Sequence, residues 1–291
     1  MKKKSRILLW GFLFSYSVIA CSSNHDDNSN SINNTDTNKT ITIMSYNILN
    51  GGTSKEELWN NRKAASLSML QNVKPDIIGM QEVQSVHKSF YDTNLTNYKM
   101  LGLPRDNTGS YAEYCAIYYR SDEFTVLDSK TIWLSETPEV MSKSWGSAYY
   151  RICTYAKFRS INTGEVFFFF NTHLDYTSEA FSHQISLLES KIKEIAGDNT
   201  KIFVTGDFNM EPSVEGIVNF AKYFKNTRMQ FPESIYYYCG TFHDFGTVNK
   251  FIDYVWYRNA IPKSYSVINS AWNGVEYVSD HYPIVGVFSM N

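Results

Sequence analysis

The sequence predicts a mixed α/β domain, and three observations predict it. Short apolar runs rich in β-branched and aromatic residues recur from Thr40 to Phe288. Between some of them lie stretches whose apolar residues are spaced three and four apart. Several runs lead directly into carboxylate, amide or imidazole side chains.

The N-terminus reads as an address. Lys2, Lys3, Lys4 and Arg6 form a basic region ahead of the apolar stretch Ile7–Ala20. That stretch is short for a membrane span, which needs about 20 apolar residues, and it fits a secretory signal over residues 1–20. Val18-Ile19-Ala20-Cys21-Ser22 resembles a bacterial lipobox, in which the cysteine is acylated. Residues 21–40 are rich in Ser, Asn, Asp and Thr. Such a segment cannot bury enough surface to offset its ordering entropy, so it is expected to be a flexible tether. The expected protein is therefore exported, lipid-anchored to a membrane through Cys21, and monomeric. Which face of the envelope it occupies is left open.

Residues 41–291 suffice for one domain with a large core. The apolar fraction of 43% and aromatic fraction of 16% point to a folded chain. Removing the four signal cations takes the formal charge from −2 to about −6, and a mildly acidic protein is a poor general binder of polyanions. Long nucleic acid is therefore not favoured as a partner. With Cys21 acylated, Cys115, Cys153 and Cys239 remain, an odd number that argues against a full disulfide framework.

Taken in order, strands are expected at Thr40–Tyr46, Asp76–Met80, Ala112–Tyr119, Tyr149–Phe158, Glu165–Phe170, Lys201–Thr205, Phe251–Tyr257 and Tyr282–Phe288. Glu57–Gln71 reads as a helix ended before Pro75. Ser178–Ala196 reads as an amphipathic helix, because Phe181, Ile185, Leu188, Ile192 and Ile195 form one stripe.

The strand ends carry the chemistry. The first strand runs into Asn47 and the second into Gln81-Glu82. The Phe-rich strand runs into Asn171-Thr172-His173-Leu174-Asp175, and Lys201–Thr205 into Gly206-Asp207-Phe208-Asn209. Ligands of α/β sheets favour the carboxyl edge of the strands. Side chains two apart share a face, so His173 pairs with Asp175 and Asp207 with Asn209. Asp280-His281 precedes its strand, which must then run antiparallel to the others to reach the same edge. Both residues can line one site only from a loop. Each motif alone is weak, since Gly-Asp-Phe-Asn is by itself more often a turn; their joint order is what carries weight.

These motifs resemble the endonuclease/exonuclease/phosphatase family, which includes deoxyribonucleases, abasic-site endonucleases, inositol-polyphosphate phosphatases, sphingomyelinases and deadenylases. The matching pieces are Ser45-Tyr46-Asn47-Ile48, Gln81-Glu82-Val83, Asn171–Asp175, Gly206–Asn209, Ile252-Asp253-Tyr254 and Ser279-Asp280-His281. The resemblance implies a four-layered α/β/β/α sandwich of two mixed β-sheets flanked by helices. It also implies a metal-dependent phosphoesterase. A phosphoester is anionic and repels a nucleophile until a hard cation neutralises it, Mg²⁺ being the usual occupant and Mn²⁺ an alternative.

The resemblance also implies roles. Glu82 is the direct metal ligand, Asp280 a second carboxylate, and Asn47 a neutral oxygen ligand or an outer contact. Asp207 activates or orients the attacking water, and Asn209 donates to the phosphoryl oxygens. His281 stands beside the phosphate with Asp253 orienting it and favouring imidazolium. His173 meets the phosphate from the other side, with Glu113 as its acidic partner. Arg151 is a candidate phosphate clamp, a surface arginine being the alternative. His243 is a candidate to touch substrate. Asp175 reads as turn chemistry, and Tyr111 and Tyr114 as core aromatics or cleft walls.

The substrate expected from charge is a small, sugar- or lipid-linked phosphoester. Nuclease or deadenylase-like activity is the alternative, and Trp133-Leu134-Ser135-Glu136-Thr137-Pro138 resembles a segment of members near the deadenylase branch. A surface glycan-binding protein has no need of so many titratable groups. A glycosidase using paired carboxylates leaves the histidines and asparagines unexplained.

Overall fold

The computed structural model describes residues 40–52 and 57–290. The expected signal segment, Cys21 and the tether up to residue 39 lie outside the described residues. The elements run β1 (Thr40–Asn47), α1 (Trp59–Val73), β2 (Ile77–Val83), α2 (Ser85–Asn94), β3 (Tyr98–Leu101) and β4 (Tyr114–Arg120). They continue β5 (Phe124–Trp133), β6 (Ile152–Ser160), β7 (Val166–His173), α3 (Ser178–Ala196), β8 (Lys201–Asp207) and α4 (Glu215–Phe220). The chain ends with β9 (Lys225–Asn226), β10 (Asp253–Arg258), β11 (Ile261–Val267) and β12 (Ile284–Ser289).

Two six-stranded sheets result, ordered β11-β12-β1-β2-β4-β3 and β5-β6-β7-β8-β10-β9. Each is mixed. β1 and β2 are parallel across α1, and β7 and β8 are parallel across α3, while the flanking pairs are antiparallel. A parallel pair requires a crossover, and the helix supplies it on the outer face. The antiparallel direction expected for the strand after Asp280-His281 is realised by β12 against β1.

Alternation along the strands sorts the core into layers. Ile41, Ile43, Phe167, Phe169 and Phe203 point between the sheets. Met44 and Tyr46 face outward against Trp59, Met69 and Leu70 of α1. Phe168 and Phe170 face outward near Phe181, Ile185 and Leu188 of α3. The expected four-layered α/β/β/α sandwich is the architecture observed.

At one end the sheets are joined by buried polar groups. Asn171 donates to the carbonyls of Met80 (2.8 Å) and Ala116 (2.9 Å), and its side-chain oxygen accepts from Gln81 (2.7 Å) and Thr205 (3.1 Å). Gly79 permits this approach, since a Cβ there would stand 1.9 Å from Thr205 Oγ1. The cross-sheet junction sits directly beneath the strand ends that carry the polar motifs.

Candidate active site

The strand ends converge because of register. In the antiparallel pairing of β10 with β8, Asp253 lies opposite Asp207, and in the parallel pairing of β7 with β8, His173 lies beside Asp207. Asn47 ends the neighbouring sheet's β1, and its amide donates to Glu82 Oε1 (3.1 Å) and Asp207 Oδ2 (3.0 Å), tying the two sheets together at the site. Its own oxygen accepts the Leu49 N–H at 3.0 Å. Of the two readings open for Asn47, the geometry matches the outer contact.

Glu82 reaches the cleft through a local irregularity. The β2–β4 register shifts between Met80 and Val83, and Glu82 has φ of +61°. A bulge re-aims a side chain that strict alternation would turn elsewhere, and a left-handed non-glycine residue is a strain that surrounding contacts must hold. Asn50 N–H donates to Glu82 Oε2 at 3.1 Å. Asn209 is also left-handed (φ 55°), its N–H bonding Asp207 Oδ1 at 2.8 Å.

His281 stands in the loop before β12, with Nδ1 2.8 Å from Asp253 Oδ2 and Nε2 3.7 Å from Asp207 Oδ2. Burial opposes its charged form, but the carboxylates of Asp253, Asp207 and Asp280 outweigh burial and raise its pKa well above the usual histidine value. His173 behaves oppositely. Burial first, then the positive charges of Arg151, Arg105 and His281, push it well below the usual value, so its ring is neutral. Its Nε2 lies 3.0 Å from Asn209 Nδ2 and 3.5 Å from Asp207 Oδ2.

The carboxylates are crowded. Burial, then the charge of Asp253, raises Asp207 to about 7, against the pull of His281 and of hydrogen bonds from Asn209 and Asn47. Burial, then Glu82, raises Glu113 to about 7 despite Arg105 and Arg151. Asp280 is raised by burial and by Glu82, with His281 opposing. Excess buried negative charge of this kind is what a divalent cation relieves. One ligand atom each from Asp207, Asp253 and His281 lie within 4.8 Å of one another; with His281 held charged, the groups left to hold a cation are carboxylates, Glu82 and Asp280 of the same cleft among them. Asp253 Oδ1 is buried without a hydrogen-bond partner. The donor set thus fits a divalent metal.

Asp207, Asn209, His173, Glu82, Asp280 and His281 line one cleft of about 620 Å³, with Arg105, Glu113 and Arg151 on a further wall. Arg151 is buried in that wall, not displayed on the surface. Two expectations are corrected. Glu113 partners Arg105, whose Nη1 lies 2.5 Å from Oε2, because the segment before β4 brings Arg105 across it; the carboxylate nearest His173 is Asp207. His243 does not line the cleft. Its ring packs 3.9 Å from that of Tyr282 and 4.6 Å from that of Tyr277, buried behind Phe242.

Two arginines escaped the sequence reading. Arg105 has no periodic signal and is recruited by tertiary packing. Arg62 had one, because it falls on the buried stripe of α1 between Trp59 and Ala65. Its guanidinium donates to the carbonyls of Glu57, Ile48, Val278, Leu49 and Asn50, pinning the loops that follow β1 and precede Asp280.

Known proteins are similar to this chain in fold or sequence. An endonuclease/exonuclease/phosphatase from Bacteroides vulgatus superposes with a TM-score of 0.78 at 28% identity, over 87% of this chain and 100% of that one. The mannosyl-6-phosphatase of Bacteroides thetaiotaomicron superposes with a TM-score of 0.74 at 29% identity, over 84% and 98%. The CCR4-Not complex 3'-5'-exoribonuclease subunit Ccr4 of Debaryomyces hansenii is 25% identical over 230 residues, 64% of this chain but only 27% of its own length.

The last of these overturns the expectation that long nucleic acid is disfavoured, since a relative of this site serves in an exoribonuclease. The physical error was to read a local property from net charge. Arg105, Arg151 and Lys250 all line the cleft, and a cleft focuses its own field whatever the sum over the surface. The membrane attachment expected at Cys21 finds no support among the described residues. Residues 44–281 match the Endonuclease/Exonuclease/phosphatase family; the chain belongs to it and is a metal-dependent hydrolase.

Proposed function

We propose that the protein hydrolyses phosphoester bonds with a divalent cation, Mg²⁺ or Mn²⁺, and that nucleic-acid phosphodiesters are among its substrates. The observation that carries the phosphoesterase reading is the convergence of Glu82, Asp207, Asp280 and two histidines of opposite charge state on one cleft, with Asp253 bonded to His281. The exoribonuclease relative supports the substrate class.

Glu82 and Asp280 would hold the cation, with Asn47 orienting Glu82. When bound, the cation neutralises charge on the phosphoryl oxygens. Asp207, poised by its raised pKa, accepts a proton from the attacking water. His281, held charged by Asp253, donates to the phosphoryl oxygens, while the Asn209 amide is engaged with His173 Nε2 and the Leu174 carbonyl. Neutral His173 keeps Asn209 and Asp207 in place, and Arg151 supplies a fixed positive charge at the cleft wall.

A second reading is hydrolysis of a sugar phosphomonoester, favoured by the 29% identity to the mannosyl-6-phosphatase over nearly its whole length. The test is turnover of bis-p-nitrophenyl phosphate, p-nitrophenyl phosphate, poly(A) and mannose 6-phosphate with Mg²⁺, Mn²⁺ or chelator. Metal-dependent cleavage of poly(A) supports the first reading, and cleavage of mannose 6-phosphate alone supports the second. Activity undiminished by chelator refutes both.

A further inference from the structure

The catalytic groups account for only part of the cleft. Its volume of about 620 Å³ falls in the range that encloses a whole drug-sized ligand, far more than one phosphate requires. Two tyrosines line the remainder, Tyr149 and Tyr176. They are 48% and 54% exposed. Their ring centroids lie 6.4 Å apart at an interplanar angle of 65°, so together they form an open corner.

This corner is held from behind by one buried side chain. Asp175 is fully buried, pairs with Arg151 (Nε to Oδ2 3.5 Å) and takes hydrogen bonds from Ser147 Oγ (2.8 Å), Ala148 N–H (3.0 Å), Thr177 N–H (2.9 Å) and Thr177 Oγ1 (2.8 Å). Gln184 of α3 closes the network, accepting from Asp175 N–H and donating to Ser147 Oγ. Ser147 Oγ also donates to the Tyr149 carbonyl at 2.7 Å. Tyr176 follows Asp175 directly in the chain. One carboxylate thus fixes the backbones that carry both rings, and two exposed tyrosines are presented on rigid supports. Turn chemistry alone would need only the Thr177 bonds.

The corner joins the reaction centre through cations. The Arg105 guanidinium lies 4.8 Å from the Tyr149 ring centroid and that of Arg151 lies 5.4 Å away. Both arginines also line the cleft at the catalytic groups. We propose that Tyr149 and Tyr176 form a subsite that stacks the nucleobase attached to the reacting phosphate. The proposal rests on the nucleic-acid reading of the same cleft.

One feature suits a base. The rings of Tyr149 and Tyr176 offer exposed aromatic surface in the cleft that holds the catalytic groups, and such surface stacks any base because every base has a π-face. Mannose 6-phosphate, which has no π-face, is the competing ligand of the test.

The test measures equilibrium binding of AMP and of ribose 5-phosphate to the Asp207→Asn protein with Mg²⁺, so that turnover does not intervene. AMP is expected to bind at least about tenfold tighter, the range for one stacked base. The ratio should collapse toward one in Tyr149→Ala/Tyr176→Ala and survive in Tyr149→Trp. Equal affinity for the two ligands, no measurable AMP binding at millimolar concentration, or a ratio retained in the double alanine variant would overturn the proposal. So would mannose 6-phosphate binding as tightly as AMP. Failure of wild type to hydrolyse any phosphoester is a separate outcome: it defeats the phosphoesterase reading and leaves the binding ratio to be judged by itself.

Discussion

The Nδ1 atom of His281 lies 2.8 Å from Oδ2 of Asp253, although 28 residues separate them in the chain. The pair is buried, and with Asp207 and Asp280 it holds the imidazole protonated against the cost of burial. Asp253→Asn keeps the shape and removes the charge that fixes the ring. We expect kcat to fall by about 10²-fold or more, in the range for displaced acid–base groups. His281→Ala should be at least as severe. Steady-state kinetics on p-nitrophenyl esters check this, and an Asp253→Asn enzyme with wild-type kcat would remove the pair from the mechanism.

Asp207→Asn keeps an oxygen for the Asn209 N–H but gives up the acceptor of the Asn47 amide, so it should keep the fold at some cost in stability. It cannot accept a proton. We expect a loss of about 10²–10⁴-fold in kcat with unchanged circular dichroism. A variant within about threefold of wild type would assign the base elsewhere.

Glu82→Gln should weaken metal and rate together. The negative charge of Glu82 opposes ionisation of Asp280 and Glu113, a crowding that a cation relieves, so removing it lowers the demand for a cation. The metal concentration for half-maximal activity should rise about tenfold or more, as when one carboxylate of an oxygen-ligand site is lost. Activity of wild type should vanish in chelator and return with added Mg²⁺. A metal titration identical in the two proteins would refute the assignment.

Asn171→Leu tests the junction between the sheets. Two buried carbonyls, those of Met80 and Ala116, would lose the Asn171 donor, and Gln81 would lose its shortest acceptor while keeping Ser45 and the Gly79 carbonyl. Each such loss costs about 1–3 kcal/mol, so we expect destabilisation of about 3 kcal/mol or more by urea unfolding. A change below about 0.5 kcal/mol, typical of surface sites, would mean that the sheets hold together without it.

His87, which is not among the cleft-lining residues, supplies an acid sensitivity of its own. Its Nδ1 accepts the Gln84 N–H at 2.9 Å at the start of α2, and its ring packs 4.5 Å from Trp59. Burial, then the charge of Arg62, lowers its pKa from 6.5 to about 3. The unfolded chain therefore binds a proton that the folded one refuses between those values. Stability from this residue is complete above pH 6.5 and declines as pH falls toward 3, by about 1.4 kcal/mol per unit at most. His87→Gln, which still offers an acceptor, should show a flatter stability profile over that window. Parallel profiles for the two proteins would contradict the assignment.

Every strand in the interior of the two sheets was legible in the sequence, and so was α3 to the residue. The reason is burial on both faces: a strand such as Phe167–Phe170 must be apolar throughout, since alternate rings enter different cores. The four strands that were missed, β3, β5, β9 and β11, are the four sheet edges. Edge strands are short or half-exposed, as in the pattern of β5 with its run of exposed residues, and carry too little apolar signal to stand out from loops.

The site divides in the same way. Sequence by itself determined which titratable residues close each strand, because the strand ends are local and their order is fixed. The tertiary structure decided what each one touches. Asn171 and Gln81 stood among the site motifs, yet they join the sheets, because Gly79 lets two backbones approach that are about ninety residues apart. Glu113 met Arg105 and not His173, and Arg62 came to grip five carbonyls from three segments. A hydrogen bond across such separations leaves no periodic trace in the chain. It forms only where packing excludes water, and which partners meet there is fixed by how the two sheets face each other.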